Sequence, residues 1–195
     1  MAGKVNRVQY GLELYRARLA PIVVLSIGRF DVSKLFRICP DDFRDLIGLR
    51  DRTPPDQRHF FWQMGTSGTF VELAALPSWN TYGEAVGLQQ YLAQHQILAD
   101  RILVISTYVH LRRVAGTFRK VFNNFTGFTF CAVPPGLSTL KPSSWWVDAE
   151  NRRFILKESF KLIGYRLVLL LPIAAVHFCM RLSDAVVCAL AKHKR

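Results

Sequence analysis

Arg101-Ile-Leu-Val-Ile-Ser-Thr-Tyr-Val-His110-Leu-Arg-Arg113 is the stretch on which the reading of the fold turns. Four consecutive apolar residues, Ile102 to Ile105, three of them β-branched, predict a buried strand. Ser106 and Thr107 end it with small hydroxyl side chains. Beyond them Leu111, Val114, Phe118, Val121 and Phe122 recur at helical spacing. The unit is therefore strand, short polar turn, helix, and the turn lies where α/β sheets place their ligands. His110, Arg112 and Arg113 stand early on that helix, close to its positive end, where cations and free N–H groups together suit an anionic ligand. Arg112 and Arg113 project about 100° apart on a helix, so only one of them faces such a site.

The same alternation extends outward in both directions. Val5, Val8, Leu12, Tyr15 and Leu19 form a helical stripe closed by Pro21, and Ile22-Val-Val-Leu25 follows as a strand ending in Ser26-Ile-Gly28-Arg29. Asp31 to Arg50 is helical in pieces, and Asp51-Arg-Thr-Pro-Pro-Asp56 is a loop. Phe60-Phe-Trp-Gln-Met64 with Gly65-Thr-Ser-Gly68 stays open between a helix end, an edge strand and part of a lid. Thr69 to Leu73 predicts a third strand. Pro77-Ser-Trp-Asn-Thr-Tyr-Gly-Glu84 opens a helix with Ala85, Leu88, Tyr91 and Leu92 on its apolar side. Phe128 to Ala132 is the last strand, and a final helical region begins near Asp148. Strands alternating with helices predict an α/β fold, a Rossmann-like, doubly wound and mostly parallel sheet.

Charge and composition narrow the function classes. Twenty-six Lys and Arg against 14 Asp and Glu give a net charge of +12, which favours phosphates, nucleic acid or an anionic membrane surface. The basic residues are scattered and carry no nucleic-acid motif, so nucleic acid is disfavoured. Cys39, Cys131, Cys179 and Cys188 have no metal-binding spacing and suit reduced core thiols, which points to the cytoplasm. No signal peptide is read at the start of the chain. No His, Asp and Glu cluster has metal spacing, and no Ser sits in a G-x-S-x-G elbow. Leu167 to Met180 is a charge-free run of 14 residues, about 21 Å of helix against roughly 30 Å of hydrocarbon. With the basic end Lys192-His-Lys-Arg195, residues 167–195 form an apolar helical tail. It either packs on the domain or a second subunit, crosses a bilayer, or lies peripherally on the inner membrane. Self-association is left open.

The order of motifs resembles the bacterial domain-of-unknown-function family that includes YdcF, SanA and ElyC. The resemblance rests on Arg7 to Tyr15, Ala20 to Gly28, Ser78-Trp-Asn-Thr-Tyr-Gly-Glu-Ala85, Leu103 to Val114, and Glu158-Ser-Phe-Lys-Leu-Ile-Gly-Tyr165, and spans residues 4 to 166. It implies a domain over residues 1–166 with a pocket at the carboxyl ends of parallel strands. It also implies a link to envelope polysaccharide or lipid-carrier metabolism, and S-adenosylmethionine as a cofactor class. The family pattern has an additional first strand, a Ser-Gly-Gly turn where Ser26-Ile-Gly28 stands, and Glu-Asn where Gly83-Glu84 stands.

Candidate site residues follow from both lines. Ser26, Gly28 and Arg29 form one wall. Asn80, Thr81, Ser106, Thr107 and Arg113 are expected to bind an anionic small molecule, a nucleotide, S-adenosylmethionine or a phosphorylated envelope precursor. The resemblance favours Arg113 over Arg112. His110 and Glu84 are the candidates for moving a proton in a transferase or hydrolase reaction. Set against this, Thr81-x-x-Glu84 fits a capping box, Ser106 and Thr107 fit helix caps, and Arg113 suits a salt bridge to Glu84 or Asp148. The alternative function is a non-catalytic, membrane-associated or partner-binding protein with a degenerate pocket.

Overall fold

A computed structural model of the chain describes residues 3–28, 44–54, 57–66, 68–76, 80–137, 145–172, 174–176, 178–180 and 182. The described elements, in order, are α1 (Gly3–Arg16), β1 (Val23–Gly28), α2 (Arg44–Arg52), β2 (His59–Gly65), β3 (Gly68–Leu73), α3 (Thr81–Gln94), β4 (Ile102–Ser106), α4 (Tyr108–Val121), β5 (Phe128–Ala132) and α5 (Ala149–Leu169). They form a mixed α/β protein of two compact units, Met1–Ala75 with Val133–Thr139, and Leu76–Ala132 with Leu140–Arg195.

In the first unit three strands pair antiparallel in the order β1-β2-β3. β2 is the central strand, and His59 to Gln63 are buried on both of its faces. Leu25 lies opposite Trp62, and Trp62 opposite Val71. Because strand side chains alternate, Leu25, Ile27, Phe60 and Trp62 share one face, and Leu12 of α1 and Leu46 of α2 close over them. α1 stops at Arg16, where Arg18 adopts a left-handed φ of 58°. Leu19 therefore leaves the predicted stripe and is exposed.

The stretch from Phe60 to Gly68 resolves as a hairpin. Gly65 faces Gly68 across the closing pair, with two residues between them and a φ of +96° at Gly68 that glycine adopts without a Cβ clash. So short a connection allows only antiparallel pairing, since a parallel partner needs a crossover of a dozen or more residues. This corrects the expectation of one doubly wound, mostly parallel sheet. Among the described residues the parallel pairing is confined to β4 and β5.

The second unit keeps the predicted order of strand, turn and helix, but the strand is not the buried one expected: Ile102, Val104 and Ile105 are half-buried and Leu103 is 40% exposed. β4 and β5 run parallel with Ile102 opposite Phe128 and Ser106 opposite Ala132, and α4 connects them. Val114 and Phe118 of α4 pack with Ala85 of α3, and Val104, Phe128 and Phe130 of the strands lie against this core. Phe122, Phe125 and Phe128 stack edge to face, at ring separations of 5.1 Å and 4.7 Å from Phe128. α5 begins at Asp148, whose carboxylate accepts from the Glu150 N–H at 3.0 Å. It runs past residue 166, where the tail was expected to start. Val176 and Met180 then bury against Tyr82 and Val86 of α3, so this part of the tail packs on the domain. Cys131 and Cys179 are free thiols, while Cys39, Cys188 and residues 183–195 lie outside the described residues.

Candidate functional site

Three helices of the second unit converge on one arginine. Arg113 sits on α4, three residues after His110 and so on the same helical face. Its side chain is only 6% exposed. One terminal nitrogen donates to Thr81 Oγ1 at the start of α3. The other donates to Glu158 Oε2 on α5 at 2.9 Å. The guanidinium lies 4.8 Å from the centroid of the Tyr165 ring, a cation–π contact. Glu158, also 6% exposed, accepts in addition from Lys161 Nζ at 2.9 Å. Glu158, Lys161 and Tyr165 stand at i, i+3 and i+7 and so present one face of α5 to α4.

His110 completes the cluster. Its Nδ1 lies 2.8 Å from Glu158 Oε2. A bare nitrogen lone pair would repel a carboxylate at that distance, so Nδ1 carries the proton and donates. Nε2 is left facing Thr81 Oγ1 at 3.5 Å. Arg113 Nη2 approaches both ring nitrogens, at 2.7 and 3.0 Å. With Nδ1 already donating, Nε2 is the ring nitrogen able to accept from Arg113 Nη2.

The electrostatics are lopsided. Burial alone would raise the Glu158 pKa, but hydrogen bonds from His110, Lys161 and Arg113, with the Arg113 charge, hold it well below the usual carboxylate range. One carboxylate thus faces two permanent cations, and a protonated His110 would add a third. Burial pushes the Tyr165 hydroxyl up, opposed by the neighbouring Arg113 charge. Burial does the same to Tyr82.

Among the described residues, two buried polar atoms of this unit find no hydrogen-bond partner, Ser106 Oγ and Arg113 Nε, while the Tyr165 hydroxyl lies within reach of Arg113, Thr81 and the Tyr82 backbone. Ser106 ends β4 and is 1% exposed. A buried orphan of this kind costs about 1–3 kcal/mol, so two in one unit need an explanation. Thr107 follows as the cap residue of α4, yet its side chain makes no capping bond. The first turn of α4 therefore starts without a side-chain cap.

The structure redistributes the roles that the sequence suggested. Asn80, not Thr81, caps α3: its Oδ1 accepts from Tyr82 N at 3.0 Å and Gly83 N at 3.2 Å. The capping-box reading of Thr81 and Glu84 is corrected accordingly, because the helix starts one residue earlier than that pattern requires. Freed from capping, Thr81 turns its hydroxyl to Arg113. Glu84 lies half-buried on the first turn of α3, and the carboxylate that meets Arg113 belongs to Glu158, replacing the expected salt bridge to Glu84 or Asp148. Arg112 is exposed while Arg113 is buried, as the helical geometry required of adjacent residues.

Ser26 and Gly28 lie on β1 in the first unit, where Ser26 Oγ bonds His59 Nε2 at 2.8 Å. Arg29 lies outside the described residues. Glu158, Lys161 and Tyr165 carried no role in the sequence reading beyond their place in a motif. Their spacing of three and seven, with the acid set among Arg153, Lys157, Lys161 and Arg166, was the available signal. Comparison of the chain with protein-family models, with curated proteins and with solved structures found no match.

Proposed function

We propose that the Thr81–His110–Arg113–Glu158 cluster, with Ser106 and the first turn of α4, binds an anionic small molecule. The observation that carries this reading is the pairing of surplus positive charge with two buried polar groups, Ser106 Oγ and Arg113 Nε, that find no partner among the described residues of the same unit. A phosphate or carboxylate bound there would accept from Arg113 Nε, from Ser106 Oγ and from N–H groups at the start of α4. The resemblance to the YdcF, SanA and ElyC family supports the same position, at the carboxyl end of a parallel strand. It supplies the ligand classes to test, namely nucleotides, S-adenosylmethionine and phosphorylated envelope precursors. In the catalytic form of the reading, a transferase or hydrolase, His110 is the proton carrier, since Glu158 orients its ring and leaves Nε2 facing Thr81.

The test uses Ser106→Ala beside Arg113→Ala and His110→Ala. Ser106 Oγ finds no partner among the described residues, so Ser106→Ala removes a buried orphan and is expected to keep or raise stability, by up to about 1–3 kcal/mol. Calorimetric titration with adenosine monophosphate and inorganic phosphate is expected to show weakened affinity in all three variants. Unchanged affinity in Ser106→Ala and His110→Ala would remove this site from consideration. Mass spectrometry of the natively purified chain identifies which ligand class it carries.

A second reading, a non-catalytic protein that associates peripherally with a membrane, is favoured by a separate observation, the exposed apolar face of α5. Among the described residues no helix is long and apolar enough to cross a membrane.

A further inference from the structure

α5 is apolar on two sides. Its inner side packs Tyr165, Val168 and Leu169 against Tyr82 and Val86. Its outer side carries Leu156, Phe160, Ile163, Leu167 and Leu170, spaced 4, 3, 4 and 3 residues apart, all exposed, Phe160 at 73% and Leu170 at 81%. At 100° per residue these five lie within about 80° of arc, so they form one continuous stripe along about 22 Å of helix. A run of this kind on a water-exposed helix face marks a binding surface.

The flanks say what the surface is for. On one side stand Arg153 and Lys157, and on the other Arg152 and Arg166, all exposed. Between Arg166 and Lys157, measured around the helix through the stripe, the sequence places no acidic residue. Asp148 caps the helix, Glu150 projects away from the stripe, and Glu158 is buried on the inner side. Trp146, 54% exposed, sits just before the helix, its carbonyl held by Arg152 Nη1 at 2.5 Å. An apolar stripe between two basic rows, with a tryptophan at its end, matches a lipid surface bearing negative headgroups. It does not match a second copy of the chain. Paired against itself, the stripe would bring Arg and Lys rows face to face, in a molecule already carrying +12.

We propose that α5 lies in the plane of an anionic bilayer, its outer stripe among the acyl chains and its flanking cations at the headgroups. This deepens the membrane-associated reading and rests on it, moving the contact from the C-terminal tail to α5.

Co-sedimentation of the full-length protein with phosphatidylcholine vesicles, with and without phosphatidylglycerol, tests it. The protein is expected to bind the anionic vesicles and to lose that binding as salt rises. Phe160→Ser with Ile163→Ser is expected to lower partitioning roughly tenfold or more, because two large apolar side chains are lost from the membrane. Arg153→Glu with Lys157→Glu, which leaves the stripe intact, is expected to lower it about as much. Both double variants change exposed positions, and circular dichroism checks that they fold. Wild-type binding that neither variant weakens would overturn the role of α5 while leaving a membrane contact elsewhere. Absence of wild-type binding to either vesicle would overturn both readings. Self-association in the ultracentrifuge, abolished by Phe160→Ser with Ile163→Ser, would assign the stripe to a second copy and overturn the proposal.

Discussion

Arg113 meets Thr81, Glu158 and the Tyr165 ring at once, so its charge is neutralised by a single buried carboxylate. Glu158→Gln keeps the shape of that partner and removes its charge. Leaving Arg113 buried without a counter-charge is expected to cost about 3 kcal/mol in urea unfolding at neutral pH. The pH dependence has a definite sign. The folded-state pKa of Glu158 is depressed, so its stabilisation is complete above the ordinary glutamate value of about 4.3 and is lost as pH falls below it. The gap between wild type and Glu158→Gln should therefore close on acidification. A constant gap down to acid unfolding would mean that the carboxylate is not ionised in the fold. Arg113→Lys is not a conservative change here, because an ammonium cannot donate to Thr81 and Glu158 from one planar fork. It is expected to lower stability in the same assay.

Among the elements, the starts of α3 and α4 use their polar residues differently. Asn80 caps α3 with two hydrogen bonds, and Asn80→Ala is expected to cost about 1 kcal/mol. Thr107 makes no such bond, and Thr107→Ala should stay within about 0.5 kcal/mol of the parent by thermal unfolding. The start of β5 is more demanding. A Cβ on Gly127 would meet the Asp100 carbonyl oxygen at 2.0 Å, and that oxygen belongs to the backbone. Gly127→Ala is expected to destabilise by about 1–3 kcal/mol. The sequence made β4, α4 and β5 legible because their apolar runs and periodicities stand out and a helix between two strands predicts parallel pairing. It left β2 ambiguous, since a strand buried on both faces has no alternation to betray it. It also hid the antiparallel partnership of β1, which depends on a hairpin more than 30 residues later in the chain. Glu158 was hidden for a similar reason: a helical acid reads as solvated until the fold places Arg113 opposite it.

For the whole molecule, an excess of 12 positive charges is usable only where the fold gathers it. Two such places stand out on the second unit, the interior cluster around Arg113 and the basic rows beside the α5 stripe. The first suits a compact anion and the second an extended anionic surface, and they occupy opposite sides of α5. An anion bound at the interior cluster, as proposed, would stabilise the folded chain by mass action, about 2.7 kcal/mol at a hundredfold excess over Kd. The most direct measurement of the central claim is nuclear magnetic resonance of the Arg113 Nε–H group during titration with adenosine monophosphate, the signal being assigned by its loss in Arg113→Lys. A saturable shift of that resonance, weakened in Ser106→Ala, is the predicted result. A resonance that stays in place while the nucleotide reaches millimolar concentration, or that moves identically in Ser106→Ala, would contradict the account.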